Sequence, residues 1–550
     1  MKAREREAST GWAVWLLRFG VAFVILNALL TLDNLDGTLW PRPTPRLSFE
    51  LCMAVLVLMP WVALRGRAGA GVLRALAAIT TVWATARYLD VTVRAVFGRP
   101  VNLYWDGRHV AELLRMGDVA GWQAGLGAVA AIVVIWLVDA VAHRCWQSMA
   151  RALAWPPPRP AVGLAGVLLL ASFAVHGWNG LDTRWFFSIP VAPTIARQAA
   201  LLSRQLLPGQ VASQLSASPA FEATDLVSLH GADVLLIFAE SYGVCTLDDP
   251  RQAAQLAPAR AQFAEALKDG GRQVVSARFR SPTYGGGSWL AHAALLSGVD
   301  TRDPGDYELL LSTDRPTLVR HFRQHGYRTV NWMPGLQRPW PEGSFYGFDR
   351  YADANSMGYR GPSFGYWHIP DQASMALLQA QELAAPAGQR PPRFIVFPTL
   401  ASHAPFRPLA PYVADWARLL RDDAYTSEQA AEAEAEPVSW LEPVPAYVAS
   451  LRYTFRWLGD YLAGRAPAKL LTIVIGDHQP LASVSGKDAS WEVPVHIISA
   501  DTALLQRFEA LGFTPGLLPM QPATAGMQAL APLLLRAFDG PARDPASAAE

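Results

Sequence analysis

Five stretches of this chain carry residues that could do chemistry together. KLLTIVIGDHQP, residues 469–480, sets Asp477 and His478 side by side behind an apolar, partly β-branched run that Gly476 ends. A hard carboxylate oxygen beside an imidazole nitrogen suits zinc or manganese. ADVLLIFAES, residues 232–241, repeats the layout, with Glu240 and Ser241 after the apolar run. SPTYGGGSWLAHAALLSG, residues 281–298, puts Ser288 after three glycines and at the opening of a helix. Backbone N–H groups and the helix dipole favour anions there, so the position suits a nucleophile that attacks phosphate or sulfate. RFIVFPTLASHAPF, residues 393–406, sets His403 past another strand end, where it could hydrogen-bond a substrate oxygen or protonate a leaving alkoxide. Arg338 could clamp a charged oxygen. Each residue also fits an ordinary role: a loop Asp and a surface His, an N-cap serine, a solvated Arg.

The elements that must position these residues alternate. Strand patterns cover Ala232–Ala239, Gln273–Phe279, Tyr327–Met333, Arg393–Leu400, Leu470–Ile475 and Glu492–Ser499. Helical patterns cover Arg251–Lys268, Trp289–Leu296, Thr313–His325, Gln372–Leu383, Tyr447–Leu462 and Thr524–Phe538. Such alternation predicts a mainly parallel α/β sheet covered by helices, with ligands bound outside the carboxyl ends of its strands. Glu240, Ser288, Asp477 and His478 then converge as three oxygen donors and one nitrogen. The alanine-rich acidic tract Ala430–Glu436 reads as an exposed insertion, and residues 541–550 as a disordered tail.

The first third of the chain has a different character. The whole is 51% hydrophobic and only 17% charged, with a net charge of +1, so no nucleic-acid footprint stands out. Three cysteines, Cys52, Cys145 and Cys245, are too few and too scattered for a disulfide framework. The apolar residues concentrate before residue 180, in five candidate spans at about 11–32, 47–64, 70–88, 121–142 and 161–177. The third is the weakest, because Arg87 and Asp90 crowd its end; they would pair with each other or reach for the interface. Basic clusters at Lys2–Arg6, Arg65–Arg74 and Arg144–Arg159 all fall on one side of such a bundle, which is then the cytoplasmic side. The expected organisation is a transmembrane domain at 1–178, a linker with one helix at 179–229, and a catalytic domain at 230–540. That domain would face the periplasm or exterior of a bacterial cytoplasmic membrane.

Taken in order, LLIFAES, the glycine-rich turn with Ser288, SHAPF, YVASLRYTFRWLGDYL and GDHQP resemble one family. Residues 230–540 are similar to the sulfatase-like branch of the alkaline phosphatase superfamily, above all to lipoteichoic acid synthases and related membrane phosphoglycerol transferases. The resemblance implies an alkaline-phosphatase-like fold and one divalent metal, Mn2+ or Zn2+, held by Glu240, Ser288, Asp477 and His478. It implies substrate contacts from His403 and from Arg338, which lies upstream of FYGFDRY. Two departures matter. The nucleophile is commonly threonine in the synthases and is serine here. The Cys/Ser-x-Pro-x-Arg signature that sulfatases need to form formylglycine is absent at Ser288, which lowers the sulfatase reading. His496 reads as a core residue and not as a further ligand.

Three functions remain open on these residues. The first is a membrane phosphotransferase that moves a phosphoglycerol-type or phosphoethanolamine-type headgroup from a phospholipid donor to an envelope glycan or lipid acceptor, through a Ser288-linked intermediate. The second is a phosphoester or sulfate-ester hydrolase with water as acceptor. The third is a catalytically idle membrane scaffold.

Overall fold

The computed structural model describes residues 2–540 apart from 35–37, 98–99, 104–105, 108–109, 111–113, 116–118, 177, 179–185, 207–214, 216–223, 338–339 and 387. Arg338, the tail 541–550 and most of the segment 207–223 lie outside the described residues. The chain forms two compact units, Met1–Ala95 with Pro100–Leu206, and Val96–Arg99 with Leu207–Glu550.

In the N-terminal unit, helices cover all five apolar segments: α1 (Lys2–Leu30), α2 (Phe49–Arg65), α3 (Ala70–Phe97), α4 (Gly121–Ala154) and α5 (Arg159–Ala174). A further helix, α6 (Ala192–Leu206), follows. By length and composition two of them are able to cross a membrane, Gly11–Leu30 within α1 and Gly121–Ala154. Both turn apolar side chains outward: Leu16, Leu17 and Val24 on α1, and Ile132 and Trp136 on α4, are exposed. The opposite faces place Leu26, Leu30, Trp146 and Met149 in a core that Leu51 and Val62 of α2 complete. Arg87 and Asp90 do not pair with each other. Arg87 donates to the Leu32 and Ile189 carbonyls at 2.7 and 3.3 Å, and Asp90 takes Arg94 one turn on at 3.1 Å.

The C-terminal unit is organised on one sheet. Its strands are β1 (Asp233–Ala239), β2 (Gln273–Arg280), β3 (Arg328–Met333), β4 (Arg350–Asp353), β5 (Arg393–Pro398), β6 (Leu470–Gly476), β7 (Glu492–Ser499), β8 (Thr514–Pro515) and β9 (Ala525–Gly526). They lie in the order β8-β2-β7-β6-β1-β5-β3-β4, with β9 also on β2. The centre, β6-β1-β5-β3-β4, is parallel. The expected parallel arrangement holds there, but the sheet as a whole is mixed: β7 runs antiparallel to both β6 and β2, and β8 antiparallel to β2. The physical reason is the connection 477–491, whose only regular element is the short turn of helix Ala482–Ser485. A parallel return takes a crossover, usually a full helix.

β1 and β6 are buried along their whole length, which is why both read as continuous apolar runs. The helices α7 (Pro250–Asp269), α8 (Ser288–Ser297), α9 (Leu318–Gln324), α10 (Asp371–Leu378), α11 (Ser427–Ala435), α12 (Val444–Gly464), α13 (Thr502–Ala510) and α14 (Leu530–Phe538) accompany the sheet. The acidic tract is therefore a capped helix, α11, with a reciprocal Thr426–Gln429 box at its start.

Candidate active site

Glu240 and Asp477 stand one residue past β1 and β6, two parallel neighbours paired in register up to Ala239 and Gly476. That register alone sets the two carboxylates side by side. Gly476 makes the approach possible, because a Cβ there would overlap the Tyr242 carbonyl oxygen. The turn Gly285-Gly286-Gly287 has φ of 64°, 131° and 78°, three successive left-handed residues that favour glycine. Gly287 is the N-cap of α8, so Ser288 is its first helical residue. The Ser288 hydroxyl does not cap the helix. Its Oγ lies 3.2 Å from Glu240 Oε2 and 3.2 Å from His478 Nε2.

The structure thus brings together Glu240, Ser288, Asp477 and His478. His478 Nε2 is 3.4 Å from Glu240 Oε1 and 3.6 Å from Asp477 Oδ2. Ligand atoms of Glu240, Asp477 and His478 all lie within 4.8 Å of one another, and all three residues are buried. Ser288 is half-buried at the open side. His478 Nδ1 is 2.7 Å from the Gln479 carbonyl oxygen, which only accepts, so Nδ1 donates there and Nε2 is the ring atom turned towards the acids. The donor set, two carboxylates, a hydroxyl and a correctly oriented imidazole, fits a divalent cation.

Electrostatics agree with that fit. Burial opposes ionisation of Glu240, yet the electrostatic attraction towards His403 and the hydrogen bond and charge of His478 overcome it and hold its carboxyl well below the usual range. Burial, reinforced by the charge of Glu240, pushes Asp477 up. For His478 burial works against the charged form, but Asp477 and Glu240 win and raise the imidazole. Two buried acids this close need a positive charge between them.

His403 sits on the loop after β5. Its Nδ1 donates to the Ala404 carbonyl at 2.7 Å, and its ring meets Trp367 edge-on at 4.8 Å between centroids. His496 is placed elsewhere: it lies in the middle of β7, bonded to Ser276 Oγ at 2.6 Å and Tyr242 OH at 3.1 Å.

Several supporting residues have no signal in the sequence beyond their type. The Ser241 hydroxyl donates to Glu240 Oε1 at 2.9 Å, and its N–H donates to Asp477 Oδ1 at 2.7 Å. Ser241 holds φ +54°, and Tyr447 OH donates to its carbonyl at 2.7 Å. Thr399 Oγ1 accepts from the Glu240 N–H at 3.0 Å, and Ser402 Oγ donates to the Glu240 carbonyl at 2.5 Å. Asp371 accepts from the N–H groups of Leu400 and Ala401 at 2.7 and 2.9 Å and so fixes the loop that carries His403. His292, one turn after Ser288, packs on Phe238 at 4.1 Å, and its buried Nε2 has no hydrogen-bond partner.

Fold and site define an α/β protein with a buried Glu-Asp-His group and a serine hydroxyl beyond its central strand ends. Residues 281–493 match the family model described as Sulfatase, and the match takes in Ser288, His403, Asp477 and His478. No curated protein sequence matches the chain. Among solved structures it is similar to an alkaline phosphatase superfamily protein from Vibrio parahaemolyticus (16% identity, 60% of this chain and 71% of that one, TM-score 0.37). It is also similar to the lipoteichoic acid synthase LtaP from Listeria monocytogenes (10%, 60% and 78%, 0.34). A third likeness is to the phosphonate monoester hydrolase of Agrobacterium radiobacter (14%, 56% and 73%, 0.34). Superpositions this loose transfer no residue role and no substrate.

Proposed function

We propose that this protein is a membrane-anchored, metal-dependent phosphotransferase that moves a phosphoglycerol-type or phosphoethanolamine-type headgroup from a phospholipid to an envelope glycan or lipid. The observation that carries the reading is Ser288 Oγ, half-buried on the first turn of α8 and 3.2 Å from both Glu240 and His478. In this reading residues 1–178 are the membrane domain, 230–540 the catalytic domain, and the catalytic domain lies outside the cytoplasmic membrane. The outward apolar faces of α1 and α4 support the membrane part, since water would oppose them and lipid would not.

Glu240, Asp477, His478 and Ser288 would hold Mn2+ or Zn2+, which when bound lowers the pKa of the hydroxyl and neutralises phosphoryl charge. Ser288 Oγ passes its proton to water and attacks phosphorus, and the bond from phosphorus to the diacylglycerol oxygen breaks. His403, held by Ala404 and Trp367, is oriented to protonate that leaving oxygen. An acceptor hydroxyl then attacks phospho-Ser288 and frees the serine. Arg338 is proposed as a clamp on the headgroup.

The Sulfatase family match favours a second reading, hydrolysis of a phosphoester or sulfate ester with water as acceptor. It uses the same residues. Intact mass of the full chain, incubated with Mn2+ or Zn2+ and phosphatidylglycerol or phosphatidylethanolamine, tests the proposal. An adduct mapping to Ser288 is the expected result, and its mass names the headgroup. Headgroup released only to water, with and without glycan acceptor, moves the assignment to hydrolase; a chain that binds no metal leaves an idle scaffold.

A further inference from the structure

The N-terminal unit contains a cavity of about 1160 Å3 walled by α2, α3, α5 and the segment 187–193. The volume exceeds the ~300–1,000 Å3 of sites for small drug-sized ligands. The walls are mostly apolar: Met53, Val57 and Trp61 from α2, Leu76 and Trp83 from α3, and Phe173 from α5. Among the described residues two charged side chains, Arg46 and Glu50, line it. Glu50 is already committed. Its Oε1 accepts from the N–H groups of Val191 and Ala192, and its Oε2 from Ser48 Oγ at 3.1 Å. Arg46 is different. It is exposed and makes no ion pair among the described residues. A ligand therefore meets one unspent cation and a long apolar slot.

From this pattern we infer that the cavity is a phospholipid site, with the phosphate on Arg46 and acyl chain against α2 and α3. A guanidinium recognises phosphate oxygens through paired, charge-assisted hydrogen bonds, and the slot takes the hydrocarbon out of competition with water. The inference rests on the membrane reading given under Proposed function and adds to it a place where a phospholipid is held.

The test uses the full chain in nanodiscs containing phosphatidylglycerol with a photoactivatable acyl chain, and peptide mapping of the crosslinks. Saturable labelling of peptides from 46–61 and 187–193 is expected. Arg46→Glu should weaken that labelling by about tenfold or more, since each charge-assisted hydrogen bond to phosphate is worth at least that. Ala54 of α2 also lines the cavity, and Ala54→Trp, which fills the slot, should remove the labelling. Arg46 is exposed, so its variant stays informative even if Ala54→Trp fails to fold. Labelling spread over α1 and α4 and indifferent to Arg46→Glu means bulk bilayer lipid only and overturns the site. Equal competition by a free fatty acid overturns the phosphate assignment. The Ser288 adduct, read in the same sample, keeps the two ideas apart: labelling without adduct sinks phosphotransfer and spares the lipid site, and adduct without labelling does the reverse.

Discussion

The two ends of the central parallel strands treat buried acids in opposite ways. At the amino ends, Asp233 opens β1 and is gripped by both Arg390 nitrogens at 2.7 and 2.8 Å. Glu382 gathers Arg350 at 2.7 Å, Arg393 at 3.0 Å and Arg328 at 3.4 Å, the first residues of β4, β5 and β3. At the carboxyl ends, Glu240 and Asp477 have no arginine or lysine in ion-pair contact among the described residues, only histidines. The acids of one end are neutralised by the chain itself, and the chain leaves those of the other end short of positive charge. The lesson is that buried acidity marks a site only where the protein withholds its own fixed cations.

This contrast can be broken experimentally. Ser288→Ala should cut turnover by about 10⁴-fold or more, the scale seen when a nucleophile is removed, while fold and membrane insertion persist; near-wild-type turnover would remove Ser288 from the mechanism. At the other end, Asp233→Ala leaves Arg390 buried and unpaired, which should cost about 3–5 kcal/mol of stability. Metal content by mass spectrometry should not change, and a loss of metal there would collapse the distinction between the ends. Metal itself should act on one end only. Mn2+ or Zn2+ at about 100 times its Kd should stabilise the wild type by about 2.7 kcal/mol. Chelation should reverse the gain, and Asp477→Asn should abolish it.

A further effect sits between the two ends. Burial in the middle of the sheet holds the His496 imidazole down, from 6.5 to about 3. A folded value below the unfolded one means that the associated stability is present above about 6.5 and drains away as pH falls towards 3. A Tm–pH series on His496→Gln should show a flatter acid limb than the wild type, and an unchanged limb would assign the acid loss elsewhere.

How much of this was legible in the sequence follows from burial. β1 and β6 were readable because strands covered on both faces are unbroken apolar runs, and each run ends at an acid of the buried cluster. Ser288 was readable from three glycines in a row. The helices over the five apolar segments were readable by length. The direction of β7 was not, because apolar composition is the same for a strand running either way. β4, RYAD, escaped notice because it is four residues long and only Ala352 is buried. Thr399, Ser402 and Tyr447 escaped, and Ser241 was read only as the neighbour of Glu240, because a hydroxyl carries no periodicity; Tyr447 and Ser241 meet only across 206 positions of chain.

The antiparallel return of β7 has a consequence for exchange kinetics. The loop 477–491 leaves β6 and comes back beside it, so its ends are closed by the ladder itself. It is stitched further by Ser281, whose hydroxyl takes the Asp477 carbonyl at 2.5 Å and whose N–H takes the Trp491 carbonyl at 2.9 Å. The Gln479 side chain ties on to the Ser490 carbonyl at 2.7 Å. A loop already closed has little entropy left to lose when a cation arrives. Cation uptake by the empty protein should therefore proceed in a single phase, proportional to cation concentration, with no slow ordering step behind it.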